Sequence, residues 1–104
     1  MAVVQAIQFR IVQGKAQEFM ANVAEARKMQ EAMGGRVRVW QGTFAGPNSG
    51  VVTYTIEHDD LAAFAAFSDK LQADSAWQAF TAKTLLSANP TGTILSAALA
   101  TEIV

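Results

Sequence analysis

Cysteine is absent from this 104-residue chain, and histidine and tyrosine each occur once. Without thiols neither a disulfide framework nor a thiolate metal site can form. One imidazole among scattered acids gives no ligand spacing for a metal centre, so no metal and no cofactor is expected. Long runs of one charge are missing too: eight lysines and arginines stand against nine acids, for a formal net charge of −1. Non-specific nucleic-acid affinity comes from neutralised phosphates, so nucleic acid is not an expected partner. No apolar stretch reaches the roughly 20 residues of a membrane-spanning helix. The opening MAVVQAIQFR lacks a basic start followed by an apolar run, so neither a membrane nor a signal peptide is expected. The missing thiols fit a reducing compartment, and the expected location is cytoplasmic.

What is present is apolar. Hydrophobic residues make up 51% of the chain and charged residues only 16%. A chain of this length builds one domain, residues 1–104, and buries about two thirds of the surface its unfolded form exposes. Part of the apolar excess is therefore expected to lie between subunits.

The periodicities change along the chain. From Ala2 to Val12 the residues alternate, with Ile7, Phe9 and Ile11 on one face and Ala6, Gln8 and Arg10 on the other, which predicts a strand ended by Gly14. Lys15 to Met33 carries Phe19, Val23, Ala26 and Met33 along one helical stripe, and Gly34-Gly35 stops it. Arg36 to Phe44 alternates again, Val37 and Val39 against Arg36, Arg38, Trp40 and Phe44. The turn formers Ala45-Gly46-Pro47-Asn48-Ser49-Gly50 then predict a hairpin into a third strand, Val51–Glu57.

Asp59 or Asp60 is placed to cap the next helix, whose spacing runs through Leu61, Phe64, Ser68 and Leu71. Asp74 or Ser75 offers a second cap before Ala76–Leu86, a separate helix or a continuation after a kink. Asn89-Pro90-Thr91-Gly92 breaks it, and Thr93–Ile103 reads as a last strand. The order β-α-β-β-α-β predicts a ferredoxin-like α+β fold: a four-stranded antiparallel sheet with its helices on one face. The other face would carry Val4, Ala6, Arg38, Trp40 and Phe44, too apolar to stay in water. A second copy of the sheet is the expected cover.

The strand VVTYTIEH, the capped helix DDLAAFAAF and the element DSAWQAF together resemble the dimeric α+β barrel superfamily. Within it they are most similar to the NIPSNAP-like and stress-responsive A/B-barrel proteins. The resemblance implies a homodimer whose two sheets enclose an interior. Some relatives use that interior as a cofactor-free active site, and some bind haem there. RNA-recognition modules share the element order, but the third strand here, Gly50-Val51-Val52-Thr53-Tyr54-Thr55, has one aromatic residue and no basic one, which argues against RNA.

Several residues are candidates for chemistry. His58, the one histidine, is the natural general base or haem ligand, and otherwise a polar corner between strand and helix. Asp59 and Asp60 read as helix caps rather than paired catalytic carboxylates. Arg10, Arg38 and Gln8 fall mid-strand on the helix-free face. A guanidinium enclosed there needs an acid, such as Glu57 or Glu102 reached across the interface at the rim of the sheet, or an anionic ligand. Gln8, Arg38, Trp40 and Tyr54 are the expected ligand-binding set, with His58, Arg10 and Arg38 as the catalytic candidates. Trp77 and Phe80 read as core or dimer packing. Two functions follow as expectations. One is a cofactor-free binding protein or enzyme, monooxygenase- or isomerase-like, holding an apolar or aromatic small molecule between the sheets. The alternative is a non-catalytic structural or interaction dimer with a filled interior.

Overall fold

The computed structural model of the chain describes residues 1–43, 46 and 50–104. Strand β1 (Val3–Ile11) leads into helix α1 (Ala16–Ala32), then β2 (Arg36–Gln41), β3 (Val52–His58), α2 (Leu61–Ala73), α3 (Ser75–Lys83) and β4 (Gly92–Thr101). The four strands form one sheet in the order β2-β3-β1-β4, and all three pairings are antiparallel. This is the ferredoxin-like arrangement that the element order predicts. Phe44, expected at the end of the second strand, and most of the expected turn over 45–50 lie outside the described residues.

Local chemistry accounts for the boundaries. α1 ends where the Met33 N–H turns back to the Gln30 carbonyl, and Gly34 takes a φ of 97°, a conformation open to glycine and strained for a side chain. α2 and α3 are two helices meeting at one residue. Asp60 caps α2 through Oδ1, which accepts the Ala63 N–H at 2.7 Å. Asp74 closes α2 and also caps α3, accepting the Trp77 N–H at 2.8 Å.

Strand parity assigns the two faces. Val52, Tyr54, Ile56 and His58 alternate as buried positions along β3. Their partners on β1 are Phe9, Ile7, Gln5 and Val3, so these residues share the helix-covered side. The core cluster is Val37, Tyr54, Ile56 and Phe67, with Phe9, Val23, Ala26 and Leu71 packed around it. Burying such side chains supplies about 1.5–3 kcal/mol each, which is what holds α1 and α2 on the sheet. The thinnest dimension is 18 Å, as expected for one sheet and one helix layer about 10 Å apart.

β4 is an edge strand with one irregularity. Gln8 pairs with Ser96 but Phe9 with Ile94, so Leu95 is an extra residue forming a bulge. Ile94, Leu95 and Leu99, at and around the bulge, are exposed. No helix among the described residues is long and apolar enough to cross a membrane.

Candidate functional site

The helix-free face brings together most of the residues expected there. Pairing aligns Ser96, Gln8, Thr53 and Trp40 in one row across the sheet, and Ala98, Ala6, Thr55 and Arg38 in the next. Arg10 lies on the same face, opposite Thr93. Gln8 accepts a hydrogen bond from the Ser96 hydroxyl at 3.0 Å, and Trp40 is 55% exposed. Among the described residues of one protomer, neither Arg10 nor Arg38 forms an ion pair. Glu57 and Asp59 pair instead with Arg36, at 3.5 and 3.0 Å, on the protein surface. Among the described residues, no group of three or more histidine or acidic side chains could hold a metal ion.

Two candidates lie on the other face. His58, expected at the margin of an enclosed sheet interior, is buried beneath α2. Its ring packs against Phe64 and Phe67 with centroids 5.5 and 4.9 Å away, and its Nε2 is 3.2 Å from Gln5 Oε1, to which it donates. Burial lowers its pKa below the ordinary value, the Arg36 charge adding to the effect. So placed, His58 offers neither a base nor a haem ligand to the open face. The reason is parity: residues 52, 54, 56 and 58 share one side of β3, and three of them are core. Tyr54 follows the same rule. Expected as a wall beside Trp40, it instead turns its phenol towards α1 and donates to Gln30 Oε1.

That Tyr54–Gln30 pair borders an open-sided cavity of about 120 Å³ lined by α1, α3 and the sheet. Phe9 and Phe19 form one wall, in edge-to-face contact at 5.7 Å. Trp77 and Phe80 of α3 form another, their ring centroids 5.6 Å apart. These two are half-buried rather than part of the protomer's core. At one end the Asn22 amide donates to the Thr91 hydroxyl at 3.3 Å. Among the described residues, no charged side chain lines the space. Gly92 leaves room there: a Cβ at that position would fall 2.6 Å from the Phe19 ring.

Gln30 is 4% exposed and absent from the residues singled out by sequence, as is Asn22. Gln30 does fall on the α1 stripe, three and four residues from Met33 and Ala26, so its position was readable even though its polarity hid it. Burial raises the Tyr54 pKa well above its ordinary value, and the Glu31 charge adds to this, so the phenol stays neutral and serves as a hydrogen-bonding group rather than a base.

The sheet order and the one-sided helix layer define a ferredoxin-like α+β protein, with an apolar pocket beneath α3. No protein-family model and no curated protein matches the sequence. Solved structures share its fold. A NIPSNAP domain protein from Burkholderia xenovorans is 23% identical, covering 97% of this chain and 94% of its own, with a TM-score of 0.71. A NIPSNAP family protein from Agrobacterium tumefaciens is 22% identical, with 96% and 90% covered and a TM-score of 0.72. A second from that organism, described as of unknown function, is 16% identical, with 95% and 84% covered and a TM-score of 0.69. The likeness is one of fold, and it is the fold that the resemblance to NIPSNAP-like proteins implied.

Proposed function

We propose that this chain binds a small, neutral, largely apolar molecule in the cavity between its helices and its sheet, and that it does so as a homodimer. The observation that carries the reading is the cavity wall: aromatic and aliphatic side chains with a few hydrogen-bonding groups and no charge, the usual make-up of a small-molecule site. This moves the site from the expected space between two sheets to the interior of one protomer. The homodimer is supported by the exposed Trp40 on the helix-free face, with Ala6 and Ala98 in the adjoining row, which a second sheet would cover.

Binding is favoured over proton-transfer catalysis. An isomerase needs a group that takes a proton near neutral pH, and the cavity offers only a phenol whose pKa is raised. A monooxygenase-like reading has the apolar lining in its favour. Benzene is the simplest probe: it should raise the melting temperature of the whole protein and perturb Trp77 fluorescence in a Trp40→Phe background. An unchanged melting temperature at millimolar benzene would refute the cavity reading and leave the filled, non-catalytic dimer. A sedimentation mass of one chain at micromolar concentration would refute the homodimer.

A further inference from the structure

We infer that the Gln30–Tyr54 pair is the polar anchor of the cavity, and that the ligand class is a neutral single-ring aromatic carrying one hydroxyl group. The inference rests on the cavity reading above and adds to it the size, charge and polarity of the occupant.

Size comes from the volume. Sites for drug-sized ligands run to about 300–1,000 Å³, whereas an engineered apolar cavity of roughly 150 Å³ takes up benzene. The space here, about 120 Å³ and open on one side, holds one ring, so of a fused-ring, polyketide-like molecule only one ring would be covered. Charge comes from the lining. An ion moved into a site without a counter-charge is strongly penalised, and no charged side chain lines this one. The aromatic character comes from Phe9, Phe19, Trp77 and Phe80, which surround the space and can meet a ring edge-to-face.

The hydroxyl follows from the pair itself. Gln30 and Tyr54 are 4% and 5% exposed and both border the cavity. Their mutual hydrogen bond uses one donor and one acceptor. A glutamine amide carries two N–H donors and a phenol oxygen two lone pairs, so the pair still has a donor and an acceptor to give. A hydroxyl is donor and acceptor at once: it can accept from the Gln30 amide and donate to the Tyr54 oxygen. A leucine–phenylalanine pair would fill the same positions without any polar group to satisfy, so core packing alone does not account for this one.

The test compares phenol with benzene by calorimetric titration of the whole protein and of the Gln30→Leu/Tyr54→Phe double variant. In the unaltered protein phenol should bind at least as tightly as benzene. In the double variant the phenol-to-benzene affinity ratio should fall by at least about tenfold, since an unmatched hydroxyl is then buried, with benzene affinity within about threefold of the original. A second readout needs no variant: the Gln30 side-chain amide resonances should shift with phenol and stay in place with benzene. If benzene binds more tightly in both proteins with the same ratio, or if phenol leaves those resonances unmoved, the anchor is wrong and the cavity reading survives. If neither compound binds, both fail together.

Discussion

Replacing Asp60 or Asp74 by alanine removes the same kind of hydrogen bond from two successive helices, yet the consequences should differ. Each carboxylate accepts the N–H of the residue three positions on, at 2.7 Å for Asp60 and 2.8 Å for Asp74. Losing such a cap costs about 1 kcal/mol. α2 buries Phe67 against Val37, Tyr54 and Ile56, so opening it opens the core, and Asp60→Ala should destabilise the whole domain. For a domain of about this size, 1 kcal/mol corresponds to a fall in melting temperature of roughly 4–8 °C. α3 has no fully buried residue and can open while the core stays closed. Asp74→Ala should therefore raise the local opening constant of α3 about fivefold, the equivalent of ~1 kcal/mol, and move the melting temperature little. Amide hydrogen exchange across Gln78–Lys83, measured beside calorimetric melting, separates the two outcomes. The reasoning fails if Asp74→Ala lowers the melting temperature as far as Asp60→Ala while exchange in α3 is unchanged.

Other outcomes follow from the same structure. His58 has its pKa lowered on folding from the ordinary 6.5, so the unfolded chain binds the proton more readily; its contribution is intact above pH 6.5 and is lost as pH falls from there towards the folded value. The urea midpoint should drop more between pH 7.5 and pH 5.5 in the unaltered protein than in His58→Gln, and equal drops would contradict this. Gly92→Ala would place a Cβ 2.6 Å from Phe19 Cε2. The ring must move into the cavity, with a loss of about 1–3 kcal/mol from overpacking, read as a lower urea midpoint together with loss of benzene binding. Trp40→Glu puts a charge on the edge strand β2 of the helix-free face, and sedimentation should show the proposed homodimer dissociating with the melting temperature of the separated chain still measurable.

The element order was legible because each segment repeats its period several times: alternation through Ile7, Phe9 and Ile11, and helical spacing through Phe19, Val23 and Ala26. The helix caps were legible because an acid before an apolar periodic run has few other uses. The site was harder to read. As an aromatic residue Tyr54 suggests a binding wall on the open face, although its even spacing from Val52 and Ile56 places it with the core. Gln30 was overlooked for the opposite reason, its polarity outweighing its position on the α1 stripe. The cavity itself depends on the missing side chain at Gly92 and on how α3 lies against α1. Gly92 in sequence reads only as the end of a loop, and no local period encodes the packing of two helices.

The extra residue in β4 has a consequence for how this strand tolerates changes in length. On the far side of Leu95, Ala97, Leu99 and Thr101 pair with helix-side positions of β1, and on the near side Ile94 and Gly92 do, so the odd–even rule reverses at the bulge. Were the same sequence to pair without it, Thr93 would sit opposite Ile11 and bring a branched side chain towards Phe19, where even a single Cβ at Gly92 is too close. Removing Leu95 itself, by contrast, would leave every other residue of β4 facing its present side. Within a strand where a one-residue insertion or deletion ordinarily turns all that follows inside out, this is the position at which the chain can shorten by one residue and keep its cavity.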